Sequence, residues 1–252
     1  MSDLKPFELG IAILGQSLVL MALVGLLVRK HIAVCWSFGL YLAAVFVTDI
    51  LMFLGGMPAG GALDMFDDFD SLRFWLHKET LLSALKFAVA FELIGRAFSK
   101  FPGAYATARR MFWLVAGLTV VSTLWVAASW NVPTGSREEY ALVVAAFQPR
   151  VLTATTWLFV SIAGLILWYR LPIVSMAKAI LIGFVPYLLL SYLMLELRTA
   201  NQWPRFGWLN ALDTWAWILL LGYWARSAWQ PFREIMPRGR QSFPAVVSGS
   251  AG

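Results

Sequence analysis

Seven long apolar stretches, separated by shorter polar segments, dominate this chain of 252 residues. A helix needs about 20 apolar residues to cross the ~30 Å hydrocarbon core of a bilayer. Only 13% of the residues are charged, against roughly 25% in soluble globular proteins. The pattern predicts an all-α, polytopic membrane protein, a seven-transmembrane-helix bundle. The predicted spans are Leu9–Val28, Ile32–Leu54, Leu72–Phe98, Met111–Trp130, Ala141–Tyr169, Ile173–Leu197 and Trp208–Trp229.

Basic residues concentrate on one side of this predicted bundle. Most of them lie in or beside the connections that follow the first, third, fifth and seventh spans. Because cytoplasmic loops of membrane proteins carry an excess of lysine and arginine, we predict an N-terminus outside, a cytoplasmic C-terminus, and a multi-pass protein of the plasma or inner membrane. The same bias explains the net charge of +6 without nucleic acid as a partner. Residues 1–229 then form the membrane domain, and residues 230–252 form a basic, largely disordered cytoplasmic tail.

Ionisable residues inside the predicted spans are the main indication of function. Such groups are costly at membrane depth, so they usually face the bundle interior and mark a binding site or a proton pathway. On the predicted topology, one set falls at a similar depth in the outer half of five helices. We predict that this set lines a polar cavity for a small ligand or an ion. Its members are Asp49, Glu79, Lys86, Arg150, Glu196, Asn210 and Asp213.

Lys86 and Glu79 are seven residues apart, so they share a helix face at a separation of about 10 Å along the axis. That distance is too long for easy direct pairing. A ligand, a water molecule or a carboxylate from another helix, such as Asp49 or Asp213, is therefore expected to reach Lys86. Two alternatives stay open: a buried ion network that only fixes helix packing, and a proton relay.

Two further features of the spans are predicted to be structural. Glu92 and Arg96 stand four residues apart, in the favourable order for a helical ion pair, near the cytoplasmic edge. Pro149 and Pro186 fall inside the fifth and sixth spans, where a proline removes a backbone hydrogen bond and kinks its helix. Such a kink can line a cavity, act as a hinge or simply shape the helix.

Several kinds of chemistry find no support in the sequence. The chain has one cysteine, Cys35, and two histidines, His31 and His77, at opposite predicted ends of the bundle. Neither a thiolate metal cluster nor a bis-histidine haem is therefore expected. No metal site is predicted and no cofactor is identified. The lack of a recognisable nucleophile grouping argues against an intramembrane enzyme.

The predicted topology resembles that of the rhodopsins and the G-protein-coupled receptors, which also have seven helices and an outside N-terminus. The resemblance is limited to topology. Trp208–Trp229 contains no lysine to hold retinal, and the third span ends in Glu-Leu-Ile-Gly-Arg where the receptors have an acidic-Arg-Tyr motif. The sequence therefore assigns the chain to no family.

Three functions are compatible with these features. The first is a membrane binding or sensor module, or an accessory subunit. It would take a small ligand, lipid or pigment in the outer cavity and contact a membrane or cytoplasmic protein partner. The second is a small ion- or proton-coupled transporter, in which the intramembrane charges bind the ion or relay protons. The third is a structural subunit of a larger membrane complex, in which the charges only pack helices against one another.

Overall fold

The computed structural model describes residues 6–54, 68–99, 101–128, 137–171, 173–199 and 208–231. Within these ranges the chain is helical and contains no strand, as predicted. Of the predicted tail, only Gln230 and Pro231 are described. One short 3-10 helix, His31–Ala33, accompanies seven α-helices: α1 Pro6–Val28, α2 Trp36–Leu54, α3 Asp68–Phe98, α4 Pro102–Ala128, α5 Arg137–Trp168, α6 Ser175–Thr199 and α7 Trp208–Trp229.

Several of these helices have the length and the surface of membrane helices. In the described part of the chain, three segments are long and apolar enough to cross a bilayer, and Trp36–Met52 is a shorter apolar helix. Helix α4 exposes many large apolar side chains, as expected where a protein meets lipid. The length and composition of these helices suggest a helical membrane protein. The three long segments are Gly10–Val28, Gln148–Trp168 and Ser175–Leu197.

Six of the helices form a ring. Helix α1 packs against α2 and α7, and the ring continues from α2 to α3, then directly from α3 to α5, α6 and α7. Helix α4 lies outside this ring, against α3 and α5. The interior of the ring therefore receives side chains mainly from helices other than α4.

Seven aromatic rings form a connected cluster inside the ring of helices. They come from α2, α5, α6 and α7, and neighbouring ring centroids lie 4.8–6.5 Å apart, mostly edge to face. Aromatic pairs in this geometry stabilise a core beyond the area they bury. We call this group the aromatic cluster; its members are Phe38, Tyr41, Phe159, Phe184, Tyr187, Trp217 and Trp224.

A glycine allows α6 and α7 to approach closely at the aromatic cluster. A Cβ atom on Gly183 would collide with Nε1 of Trp224 and would lie 2.6 Å from Cδ1 of Leu220. The same Nε1 donates a hydrogen bond of 3.3 Å to the carbonyl oxygen of Ala179 on α6. The close contact and the buried hydrogen bond both depend on the missing side chain at this position.

Helix α2 begins later than predicted. The apolar pattern placed its start at Ile32, but a 3-10 turn covers His31–Ala33 and the α-helix begins at Trp36. Glu92 of α3 accepts hydrogen bonds from the backbone N–H groups of Trp36 and Ser37, at 3.2 and 3.0 Å. The first N–H groups of a helix lack partners within the helix, so a carboxylate from a neighbouring helix defines where α2 starts.

Helix α4 begins nine residues before its predicted span, at Pro102 instead of Met111. Arg109 and Arg110 excluded this segment from the apolar stretch, yet both lie in the helix with exposed side chains. Proline is favourable in the first turn, where its missing N–H would have no helical partner. The helix therefore begins before the apolar stretch that hydropathy detects.

Candidate functional site

A cavity of about 530 Å³ lies between α2, α3, α5, α6 and α7. This volume is within the range typical of small-molecule sites, roughly 300–1,000 Å³. Tyr41, Tyr187 and Trp217 of the aromatic cluster form part of its wall, together with Trp75. Its described polar lining residues are Asp49, Lys78, Glu79, Ser83, Lys86, Gln148, Thr155, Ser191, Asp213 and Thr214.

Four of the seven predicted site residues line this cavity: Asp49, Glu79, Lys86 and Asp213. Arg150 and Glu196 are not among its described lining residues, and each has interactions of its own. Glu196 is exposed and shares a hydrogen bond with Tyr192, one turn earlier in α6. The side chain of Asn210 lies outside what the structure describes.

Asp49 is held by two neighbours from adjacent helices. Nζ of Lys78 lies 2.6 Å from its Oδ1 atom, and Nε2 of Gln16 donates to its Oδ2 atom at 3.0 Å. Nζ of Lys78 also lies 3.1 Å from the sulfur of Met52. This group joins α1, α2 and α3. Asp49, one of the two carboxylates expected to reach Lys86, is therefore engaged with other partners.

Lys78 is the charged lining residue that the sequence reasoning missed. The available signal was its position inside the predicted span Leu72–Phe98, directly before Glu79. Because the helix rotation that brings Lys78 towards Asp49 depends on packing between α2 and α3, the pair itself was not apparent from the spacing.

Lys86 differs from Lys78, although both border the same cavity. Among the described residues, none makes an ion pair or a hydrogen bond with its ammonium group. Glu79, on the same face of α3, attracts it only electrostatically over a longer distance, and Lys78 repels it. Glu79 likewise makes no ion pair with a described residue. The cavity therefore presents two opposite charges that the described part of the protein does not neutralise by direct contact.

Glu92 and Arg96 lie outside the cavity, near the other end of α3. Nη2 of Arg96 lies 2.7 Å from Oε1 of Glu92, and its Nε atom donates to the same oxygen at 3.1 Å. The hydroxyl of Ser37 also donates to Glu92. Besides the ion pair that the spacing predicts, this carboxylate thus joins α3 to the N-terminus of α2.

Both predicted proline positions lie next to cavity residues. Pro149 is inside α5 beside Gln148, and Pro186 is inside α6 beside Tyr187. A hydrogen bond joins Tyr187 and Ser191, which both line the cavity. The prolines therefore lie inside continuous helices at the level of the cavity, and the kinks themselves stay predictions.

A second pocket, of about 620 Å³, lies at the opposite end of the bundle. Its residues lie just before α2 and at or just before the start of α6, and along both helices the aromatic cluster comes next and the cavity residues follow. Along α3 the cavity residues come first and the residues of this pocket come last. We call it the basic pocket because three cations line it. Its described residues are Arg29, Lys30, Ala33, Val34, Arg96, Ala97, Ser99, Ile173, Val174 and Ala177.

In the ranges that the structure describes, no group of three or more His, Cys, Asp or Glu side chains could hold a metal ion. Comparisons with protein families, with curated proteins and with solved structures find no match. Function must therefore be inferred from the two cavities and the residues that line them.

Proposed function

We propose that this protein is a seven-span membrane module that binds a small molecule in the cavity between α2, α3, α5, α6 and α7. The N-terminus lies outside and the C-terminus lies in the cytoplasm, in the plasma or inner membrane, because of the bias of basic residues. On that topology α3, α5 and α7 begin at the outer surface. The cavity then opens outwards, and the basic pocket lies at the cytoplasmic face.

The proposal rests on the lack of a described ion pair or hydrogen bond at Lys86. A buried ionic network that only packs helices accounts for Asp49, Lys78 and Gln16, which contact one another. It does not account for Lys86, which borders the cavity without an ion pair or hydrogen bond to any described residue. Because a charged group at membrane depth is costly without a partner, a ligand with an anionic or strongly accepting group would stabilise it.

The lining also suggests the shape of the ligand. Glu79 and Lys86 lie on one face of α3, about 10 Å apart along the helix axis, and Tyr41, Trp75 and Trp217 border the same space. Aromatic walls with a few convergent polar groups are typical of small-molecule sites. We infer an elongated amphipathic molecule with an acceptor for Lys86, a donor or cation for Glu79, and an apolar middle.

Native mass spectrometry of the protein, released from nanodiscs after gentle purification, tests this proposal. The wild type is expected to retain a small-molecule adduct that the Lys86→Met variant lacks. Lys178→Met is the matched control, because Lys178 is exposed on α6 and is not among the described lining residues of either pocket. The mass of the adduct and the absorption spectrum of the same sample distinguish a metabolite, a lipid and a pigment.

An adduct that Lys86→Met retains at the wild-type level would contradict the proposal, because the ligand would then not depend on the unneutralised ammonium. Loss of the adduct from both lysine variants would also count against it, since it would indicate a general effect of charge. Circular dichroism and size-exclusion chromatography of each variant exclude misfolding as the reason for a lost adduct.

Ion- or proton-coupled transport is a second candidate, favoured by one observation. The cavity and the basic pocket enter the bundle from opposite ends, with the aromatic cluster between them. Alternating access would require that cluster to open and close. Proteoliposomes with a pH-sensitive dye inside test this function: wild-type proton flux that Lys86→Met abolishes would support transport, and flux equal to that of empty liposomes would exclude proton coupling.

A further inference from the structure

We propose that the basic pocket binds the phosphate group of an anionic phospholipid. This site is separate from the cavity around Lys86. It depends on the membrane location of the helices but not on the ligand proposed for that cavity.

The pocket has cationic groups that are available to an anion. Neither Arg29 nor Lys30 makes a side-chain hydrogen bond or ion pair with a described residue. Arg96 uses its Nε and Nη2 atoms for Glu92, and its Nη1 atom has no partner in the described part of the chain. With Glu92 counted against the three cations, the group keeps a net charge of about +2, which attracts phosphate at short range.

The pocket lies at the level where a lipid headgroup is found. Arg29 and Lys30 directly follow the apolar segment that ends at Val28, and the pocket residues Ile173 and Val174 directly precede the apolar segment that begins at Ser175. Basic pockets between transmembrane helices at the cytoplasmic side are known to take anionic headgroups. A phosphate in this pocket would therefore sit at the boundary between hydrocarbon and water.

The surroundings of the cations suit a lipid better than a fully hydrated anion. Most of the other described lining residues are apolar. They lie in or just after the 3-10 turn, at the end of α3, and at or just before the start of α6. Just before Arg29, the side chains of Leu27 and Val28 are exposed on α1. A glycerophosphate group can contact the apolar wall while its acyl chains continue along these exposed side chains. A soluble phosphate would gain nothing from either surface.

Neighbouring contacts hold the pocket in shape. Glu92 fixes Arg96 and caps α2 at the same time. His31, in the 3-10 turn, contacts the carbonyl oxygen of Gln230 through Nε2 at 3.0 Å, which ties the turn to the end of α7. Lys30 holds a left-handed backbone conformation with φ 57°. Because these contacts order the pocket before a ligand enters, less conformational entropy is lost on binding.

Lipid binding by the full-length protein tests this inference. We would titrate detergent-solubilised protein with phosphatidylglycerol, and in parallel with phosphatidylcholine and with soluble glycerol phosphate, and count bound molecules by native mass spectrometry. The variant Arg29→Gln/Lys30→Gln removes two charges from the pocket. The matched control, Arg170→Gln/Lys178→Gln, removes two charges from the same end of the bundle at residues that are not among the described lining.

The wild type is expected to bind phosphatidylglycerol at least about 10-fold more tightly than phosphatidylcholine. Arg29→Gln/Lys30→Gln should weaken phosphatidylglycerol binding about 30-fold, which corresponds to about 2 kcal/mol at 1.4 kcal/mol per factor of ten and to about 1 kcal/mol per basic residue near a membrane. Phosphatidylcholine binding should not change. The control should stay within about twofold of the wild type.

Two outcomes would overturn the proposal. Equal losses in the pocket variant and in the control would mean that phosphatidylglycerol responds to total charge and not to a site. Binding of glycerol phosphate as tight as that of phosphatidylglycerol would assign the pocket to a soluble phosphate compound. Since glutamine tolerates the same backbone as lysine at position 30, the comparison depends on charge and not on strain.

Discussion

Replacing Lys78 or Lys86 with methionine should change the stability of the protein in opposite directions. Both lysines lie on α3 and border the same cavity. Methionine keeps much of the side-chain length and removes the charge, so the two variants differ mainly in what each ammonium contacts. This comparison tests whether Lys86 lacks a structural partner, on which the proposed ligand site depends.

For Lys78→Met, the loss follows from the ion pair with Asp49, whose Oδ1 atom lies 2.6 Å from Nζ. Removing one partner of a buried ion pair costs about 3–5 kcal/mol, whereas an exposed pair contributes roughly 0–1 kcal/mol. The two side chains are 14% and 28% exposed, and Gln16 still donates to Asp49 in the variant. We therefore expect a loss of about 2–3 kcal/mol in the free energy of unfolding, between these two limits.

For Lys86→Met, no ion pair or hydrogen bond with a described residue is lost, and an unneutralised charge is removed. A lysine at the centre of a membrane helix costs about 2.5–3.5 kcal/mol on insertion, and the cavity relieves part of this cost. We expect ligand-free protein to be stabilised by about 1–2 kcal/mol. With 1 kcal/mol equal to about 2–4 °C for a chain of this size, the midpoint should fall by about 4–12 °C for Lys78→Met and rise by about 2–8 °C for Lys86→Met.

Thermal unfolding in detergent, followed by tryptophan fluorescence, measures both shifts once bound small molecules have been washed out, as checked by native mass spectrometry. Lys178→Met is the control and should stay within about 1 °C of the wild type, because surface substitutions are usually nearly neutral. A midpoint that falls for Lys86→Met as it does for Lys78→Met would refute the reasoning. Lys86 would then have a structural partner, and the ligand proposal would lose its basis.

Two further predictions concern how the helices pack. Gly183→Ala should lower the free energy of unfolding by about 2–4 kcal/mol, because of overpacking and loss of the Trp224 hydrogen bond. Gly222→Ala, whose Cβ would meet nothing within 4 Å, should be neutral or slightly stabilising. Equal unfolding midpoints for the two variants would contradict the close α6–α7 contact. Glu92→Gln should lower the free energy of unfolding by about 1–3 kcal/mol, because charged hydrogen bonds to the start of α2 are weakened. Amide hydrogen exchange measures this loss and should become faster at Trp36 and Ser37. Unchanged exchange there would show that this carboxylate does not determine the start of α2.

The helical class and the grouping of four site residues in one cavity could be predicted from the sequence, because apolar length and position along a helix are local properties. Asp49, Glu79, Lys86 and Asp213 were grouped by depth alone, and all four line one cavity. Depth does not determine which way a side chain points around its helix. Arg150 and Glu196 were assigned to the same level, yet they are not among the described lining residues.

Helix rotation could not be predicted because apolar residues occur on every side of α5 and α6. Without a polar face, the sequence gives no preferred orientation, and packing against neighbours decides it. The pair of Lys78 with Asp49 and the contact of Glu92 with Trp36 have the same origin. Each joins residues of different helices and depends on how α2 and α3 are turned towards each other.

The aromatic cluster has an electrical consequence for the membrane. Along α6 the basic pocket ends at Ala177 and the cavity begins at Tyr187, a distance of about 15 Å. When electrolyte fills both spaces, the transmembrane voltage falls across this thin layer instead of the full ~30 Å of hydrocarbon, so the local field is about doubled. One elementary charge that crosses this layer gains or loses about 2.3 kcal/mol per 100 mV. On the proposed topology, a charge that moved between the two pockets would therefore experience the membrane voltage over this short distance.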